Sequence, residues 1–100
     1  MKIAVNRCYG GFSVSQAVYD ELGIPWDNYG YLENKHFEIE SYDFDAFRSH
    51  PKLIEALEKL GKSANGRYAK IEIVDIPDDV DWEIHDYDGN ETIHEKHRTW

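Results

Sequence analysis

The stretch from Ser49 to Gly61 constrains the fold most, because it carries the local signals of a short amphipathic helix from beginning to end. Ser49 or His50 can cap its first turn, and Pro51 suits the first helical position, where no backbone N–H is needed. Gly61 stands just past its end, where a glycine commonly closes a helix. The apolar residues at helical spacing are Leu53, Ile54, Leu57 and Leu60. The pattern predicts a helix with one face packed on a core.

A strand, a glycine turn and a first helix are predicted at the N-terminus. Residues 3–5 are typical of a short buried strand, and the loop after them contains two consecutive glycines. Ser13 and Gln16 then match a capping box, which favours a helix beginning there. Its apolar face consists of Val14, Ala17, Val18 and Leu22. Gly23 predicts the end of this helix.

The middle of the chain is rich in aromatic residues and lacks a helical period. Seven of the fourteen aromatic residues lie between Trp26 and Phe47, so we expect an irregular, packed segment. Within it, residues 37–40 alternate in polarity well enough to predict a short strand. Residues 69–73 alternate more cleanly between apolar and polar side chains and predict a half-buried strand. Residues 76–79 then predict a turn.

A hairpin is predicted near the C-terminus. Asp88 and Gly89 form a pair that favours a tight type I′ turn, which places Ile84 opposite Ile93 and His85 opposite Thr92. The element order is then β-α-(β)-α-β-β-β. These signals predict a single α+β domain over residues 1–100, with a mixed or antiparallel sheet of roughly four or five strands packed with two helices.

The composition excludes several classes of function. Twenty acidic residues against eleven lysines and arginines give a formal net charge of −9, which argues against direct nucleic-acid binding and against binding to anionic membranes. The single cysteine, Cys8, has no intramolecular disulfide partner, and no apolar run is long enough to span a bilayer. The chain begins with a strand pattern rather than a secretory signal. We therefore expect a cytoplasmic protein, and no cofactor is predicted.

The turn between the first strand and the first helix is the candidate ligand site. Glycines before a helix expose backbone N–H groups near the positive end of the helix dipole, an arrangement that suits a phosphate. An arginine, hydroxyl groups and aromatic faces nearby complete a site for a phosphorylated, nucleotide-like molecule. The predicted ligand-binding residues are Arg7, Tyr9, Gly10, Gly11, Ser13, Ser15, Arg98 and Trp100. The same pattern is also that of an ordinary turn into a helix.

Two resemblances bear on this interpretation. The segment from Met1 to Leu22 resembles the opening of the ribose-5-phosphate isomerase B family, but Cys8 and Tyr9 stand where that family has an Asp-His pair. That resemblance implies a ribose-phosphate-like ligand without isomerase chemistry. The chain is also similar to small accessory proteins of tailed phages, in residues 6–12, 76–79 and 94–100. This similarity implies a phage-type accessory protein, of a class that often counters host defence by holding a nucleotide signal or blocking a defence protein.

Two other functions remain open at this level. Residues 72–95 contain ten acids and no lysine or arginine, so this face can mimic nucleic acid and inhibit a basic host protein. The acids expected to act in such a mimic are Asp79, Asp81, Glu83, Asp86 and Asp88. Alternatively, Cys8 with a histidine can serve as a nucleophile and base. His94 and His97 are too closely spaced for a helical zinc motif. A small domain of this kind can also build its site across a homo-oligomer interface.

Overall fold

A computed structural model describes residues 1–95 and confirms the α+β class. The regular elements are β1 (Lys2–Asn6), α1 (Gln16–Leu22), α2 (Pro51–Leu60), β2 (Ile71–Asp75), β3 (Trp82–Tyr87) and β4 (Asn90–Glu95). Three short 3₁₀ turns cover Asn34–Phe37, Ala46–Ser49 and Gly61–Ala64. The order of regular elements in this part of the chain is therefore β-α-α-β-β-β.

The strands form two separate antiparallel pairs rather than the single sheet that the sequence predicts. β1 pairs with β2 in a register that sets Lys2 opposite Asp75, and β3 pairs with β4. Side chains keep the pairs apart: the Asn6 N–H donates to the Glu91 carboxylate at 2.8 Å, and the Ala4 carbonyl accepts from Arg48 at 3.2 Å. Because these side chains occupy the second edge of β1, β4 lies beside that edge without extending the sheet.

The short strand predicted over residues 37–40 is wrong. Asn34–Phe37 forms a 3₁₀ turn, and Glu38 ends it in the left-handed region at φ 58°. The turn is favoured because the His36 ring accepts the Glu33 N–H at 3.0 Å. Phe37 and Ile39 still face the core. The alternation of apolar and polar residues over 37–40 therefore arises because a turn, not a strand, buries these two side chains.

The two helices begin and end close to the predicted residues. His50 caps α2 and accepts the Lys52 N–H at 3.1 Å. The capping box predicted for α1 is wrong, because α1 begins at Gln16 after Ser15 and Ser13 is buried in the preceding loop. There the backbone of the loop pairs with other segments, as in the Val14–Asn65 bridge, so Ser13 is not at the helix start.

One core joins the helices, β1 and the irregular middle segment. Val18 and Tyr19 of α1 pack with Leu53 and Leu57 of α2 against Ala4 of β1. The middle segment adds aromatic rings: the rings of Phe37 and Phe47 stack with centroids 6.0 Å apart, and Phe12 meets Phe47 edge-on at the same distance. Large rings from loops therefore fill the interior that a short sheet leaves open.

The predicted hairpin register is confirmed, with Ile84 opposite Ile93 and His85 opposite Thr92. The turn residues Asp88 and Gly89 have φ of 52° and 92°, as a type I′ turn requires. Gly89 also lies against the N-terminal loop, since a Cβ built there would fall 2.2 Å from the Gly11 nitrogen. The hairpin tip is therefore packed directly on the two-glycine loop.

This close approach predicts a larger effect of Gly89→Ala than of Gly23→Ala. Both positions have positive φ, but a Cβ at Gly23 meets no atom within 4 Å. We expect Gly23→Ala to cost about 1–2 kcal/mol from backbone strain alone, and Gly89→Ala to cost more because the hairpin must also move off the loop. Urea unfolding monitored by circular dichroism measures both. Equal losses would show that the hairpin tip does not pack tightly on the loop.

Candidate functional site

A cleft of about 510 Å³ opens between the two 3₁₀ turns of the middle segment. Its walls combine aromatic rings with several polar side chains. The lining residues include Phe12, Tyr31, Lys35, Phe44, Asp45 and Arg48. A concave, mostly apolar site with a few converging polar groups is the usual form of a small-molecule pocket.

Asp27 shapes the wall of the cleft that carries Tyr31. One of its carboxylate oxygens accepts the N–H groups of Tyr29 at 2.8 Å and Gly30 at 2.6 Å, and the other accepts that of Tyr31 at 3.3 Å. The Tyr19 hydroxyl donates to the same carboxylate at 3.0 Å. Although burial raises the pKa of Asp27, these four hydrogen bonds lower it below its ordinary value.

Asn34 holds the opposite wall together. Its side-chain amide donates to the Asp43 carbonyl at 2.8 Å, and its oxygen accepts the Phe47 N–H at 2.9 Å. The Asp43 carboxylate in turn accepts the Asp45 N–H at 3.0 Å. The two 3₁₀ turns are thereby fastened to each other on either side of the cleft.

Arg48 forms the floor of the cleft, and its side chain is only 6% exposed. Two of its nitrogens bind the two Glu91 oxygens at 2.7 and 2.8 Å. The guanidinium lies over the Phe12 ring, 3.9 Å from its centroid. Its Nε is buried and has no hydrogen-bond partner. Such an unsatisfied buried donor is uncommon in native proteins.

Asp45 stands beside the same guanidinium at the polar end of the cleft. One of its oxygens lies 3.3 Å from Nη2 of Arg48, and its side chain is 35% exposed. Burial raises the pKa of Asp45, and the neighbouring Arg48 charge only partly opposes that shift. The carboxylate is therefore incompletely solvated and can gain hydrogen bonds from a bound molecule.

Within residues 1–95, the residues predicted to bind a ligand lie outside the cleft. Arg7 binds Glu72 at 3.0 Å and the Glu91 carbonyl at 2.8 Å, so its guanidinium joins β2 to β4. Gly10 and Gly11 lie beneath Gly89 at the hairpin tip. The loop thus brings Arg7, Gly10 and Gly11 together, but these residues contact the hairpin rather than an open site.

The other predicted ligand-binding residues divide among three places. Tyr9 is exposed and meets Tyr87 edge-on at 6.5 Å. Ser13 is buried, and the Ser15 hydroxyl donates to the Ser63 carbonyl at 2.5 Å. Arg98 and Trp100 lie outside the described residues, as does His97. Within residues 1–95, none of the predicted ligand-binding residues lines the cleft, although Phe12, which follows Gly11 directly, does.

Sequence reasoning missed Asp45, Arg48 and Phe44 as site residues. The signal that pointed to them was the concentration of aromatic residues between Trp26 and Phe47, together with the absence of a helical period there. Loops that carry large rings on a rigid scaffold commonly form binding sites. The signal locates the segment but does not show which of its side chains converge.

The residues of the other two functional hypotheses have different surroundings. The Cys8 thiol donates to the Tyr68 carbonyl at 2.7 Å, and the His85 and His94 rings stack with centroids 3.9 Å apart. The five acids expected in a nucleic-acid mimic are all exposed, around β3 and the hairpin turn. Within residues 1–95, no group of three or more His, Cys, Asp or Glu side chains is arranged to hold a metal ion.

Comparison with known proteins gives no relative from which to transfer a function. No family model, no curated protein and no solved structure matches this chain. In the described part of the chain, no helix is both long enough and apolar enough to cross a membrane. The function is therefore inferred from the chemistry of the cleft.

The lowered pKa of Asp27 predicts how stability depends on pH. Its folded-state pKa lies below the ordinary value of 3.8, so its carboxylate stabilises the fold above that pH and stops doing so as the pH falls through the folded value. We expect Asp27→Asn to lower the urea midpoint at pH 7, and we expect its difference from the wild type to shrink as the pH falls below 3.8 and through the lower folded-state pKa. Asp20→Asn, an exposed change on α1, serves as the control. A pH-independent difference for Asp27→Asn would contradict the assignment.

Proposed function

We propose that this protein is a non-catalytic binding protein that sequesters a phosphorylated, nucleotide-like small molecule, and that the cleft beside Arg48 is its site. The observation that carries the proposal is the combination of exposed aromatic rings with one converging polar pair in a single concavity. Rings offer faces on which a planar base stacks, and the polar pair fixes its orientation.

The size of the cleft supports a ligand of this class. Its volume of about 510 Å³ falls in the range of roughly 300–1,000 Å³ that is usual for small-molecule sites. Phe44, which is 87% exposed, and Tyr31, which is 56% exposed, stand at its rim. Large exposed rings are costly in water, so a ligand that covers them gains hydrophobic free energy as well as stacking.

Lys35 supplies the positive charge at the rim. Its ammonium group lies 3.0 Å from the Glu33 carboxylate, and both side chains are well exposed. An exposed ion pair of this kind is weak, about 0–1 kcal/mol, so the ammonium can turn to a phosphate at little cost. The phosphate would then lie outside the cleft, while the base lies inside it.

The predicted loop residues fit this proposal as supports for the cleft. Arg7, Gly10 and Gly11 hold the hairpin in place, and the hairpin supplies Glu91, which fixes the Arg48 guanidinium. From the resemblance of residues 6–12, 76–79 and 94–100 to small accessory proteins of tailed phages, we further propose that holding a nucleotide signal of host defence is the biological role of this binding protein.

Phe44→Ala tests the stacking face, and Tyr42→Ala is its matched control. Both side chains are highly exposed, but only Phe44 lines the cleft. Stacking of one base on an aromatic ring contributes about 1–3 kcal/mol, so Phe44→Ala should weaken binding of a nucleotide about tenfold or more. Tyr42→Ala should leave it unchanged.

Isothermal titration calorimetry with AMP, GMP, CMP, UMP and inorganic phosphate provides the measurement. We expect at least one of the nucleotides to bind, inorganic phosphate to bind much more weakly, and the melting temperature to rise with the bound nucleotide. Absence of binding across all four nucleotides would overturn the proposal. Equal losses in the Phe44 and Tyr42 variants would overturn the placement of the site in the cleft.

A further inference from the structure

At the polar end of the cleft, the partly exposed Asp45 carboxylate lies beside an edge of the Arg48 guanidinium whose Nε donor is buried. Nε and Nη2 share one edge of the Arg48 guanidinium, and an Asp45 oxygen lies 3.3 Å from Nη2. The N–H on Nε, on the same edge, is buried without a partner. A molecule that donates to Asp45 and also presents an adjacent acceptor would complement both groups.

The charges of this cluster favour hydrogen-bond donors over an anion. The Glu91 carboxylate already accepts hydrogen bonds from Nη1 and Nη2 of Arg48, at 2.7 and 2.8 Å, and so neutralises the guanidinium charge. Asp45 then adds a further negative charge that is only partly exposed. A phosphate placed here would be repelled, whereas N–H donors would relieve the incomplete solvation of the carboxylate.

We propose that Asp45 selects a guanine-type base, with Arg48 as the neighbouring donor. This inference rests on the proposed nucleotide-binding function of the cleft. Guanine presents two adjacent N–H donors, at N1 and at its 2-amino group, and these match the two oxygens of one carboxylate. Its O6 acceptor is next to N1 and would face the Arg48 edge.

The other common bases fit this pair of groups less well. Uracil has one N–H between two oxygens, so its oxygens would meet the carboxylate unfavourably. Adenine and cytosine each offer one amino group next to a ring-nitrogen acceptor, which gives a single donor to Asp45. The arrangement therefore predicts an order of affinity among bases as well as binding itself.

Three nucleotides that differ at one position of the base test this order in the wild-type protein. GMP carries the 2-amino group, IMP has hydrogen there, and XMP has an oxygen. Loss of one charge-assisted hydrogen bond corresponds to about tenfold or more in affinity, so we expect GMP to bind about tenfold more tightly than IMP. XMP should bind most weakly, because its oxygen would face the carboxylate.

Asp45→Asn should reverse the preference for GMP over XMP. The amide can donate to the 2-oxo group of XMP but pairs poorly with the two donors of GMP, so XMP should gain affinity and GMP should lose it. Glu40→Gln removes one charge from an exposed residue of the same segment and should leave the order unchanged. Circular dichroism checks that both variants are folded, and the wild-type series does not depend on either variant.

The outcomes separate this inference from the proposed function. If none of the nucleotides binds the wild type, both are overturned. If nucleotides bind with equal affinity for GMP, IMP and XMP, or if folded Asp45→Asn keeps the wild-type order, selection by Asp45 is overturned while nucleotide binding stands. The expected order with its reversal in Asp45→Asn supports both.

Discussion

Arg48 and Glu91 meet across the edge of β1 that β2 does not cover, and the hydrogen bonds around them connect otherwise separate parts of the fold. Their side chains are 6% and 5% exposed. Removing two charges from water costs several kcal/mol per ion, and their attraction offsets this only when further hydrogen bonds satisfy both groups. Here the backbone provides part of them, since Glu91 accepts the Asn6 N–H and Arg48 donates to the Ala4 carbonyl, while Nε of Arg48 is left without a partner.

The pair links the hairpin to the cleft. Glu91 comes from β4, so the pair holds the hairpin against β1, with Arg7 donating to the same residue's carbonyl. Arg48 comes from the 3₁₀ turn beside the cleft and forms its floor over the Phe12 ring. Displacement of the hairpin would therefore alter the cleft, although the acids on β3 do not line it.

Local signals in the sequence predicted several helix ends and turns correctly, although the capping box at Ser13 and the strand over residues 37–40 were not found. The caps of α2 and the Asp88-Gly89 turn depend on neighbouring residues, and both were found as expected. The Arg48–Glu91 pair joins residues 43 positions apart, and no local pattern marks two charged residues for burial. The glycine loop shows the same limit, because glycine permits close approach of either a ligand or another backbone, and here Gly89 makes that approach.

A double-mutant cycle on the Arg48–Glu91 pair tests its central role most directly. With Arg48→Met, Glu91→Gln and the double variant, urea unfolding should show that each single change costs about 3–5 kcal/mol, because the remaining partner stays buried without its closest counter-charge. The double variant should cost much less than the sum. The exposed Lys59–Glu21 pair, joined at 2.7 Å, is the control and should couple by about 0.2–1 kcal/mol. Additive losses at Arg48 and Glu91, or single losses no larger than those at Lys59 and Glu21, would contradict the account.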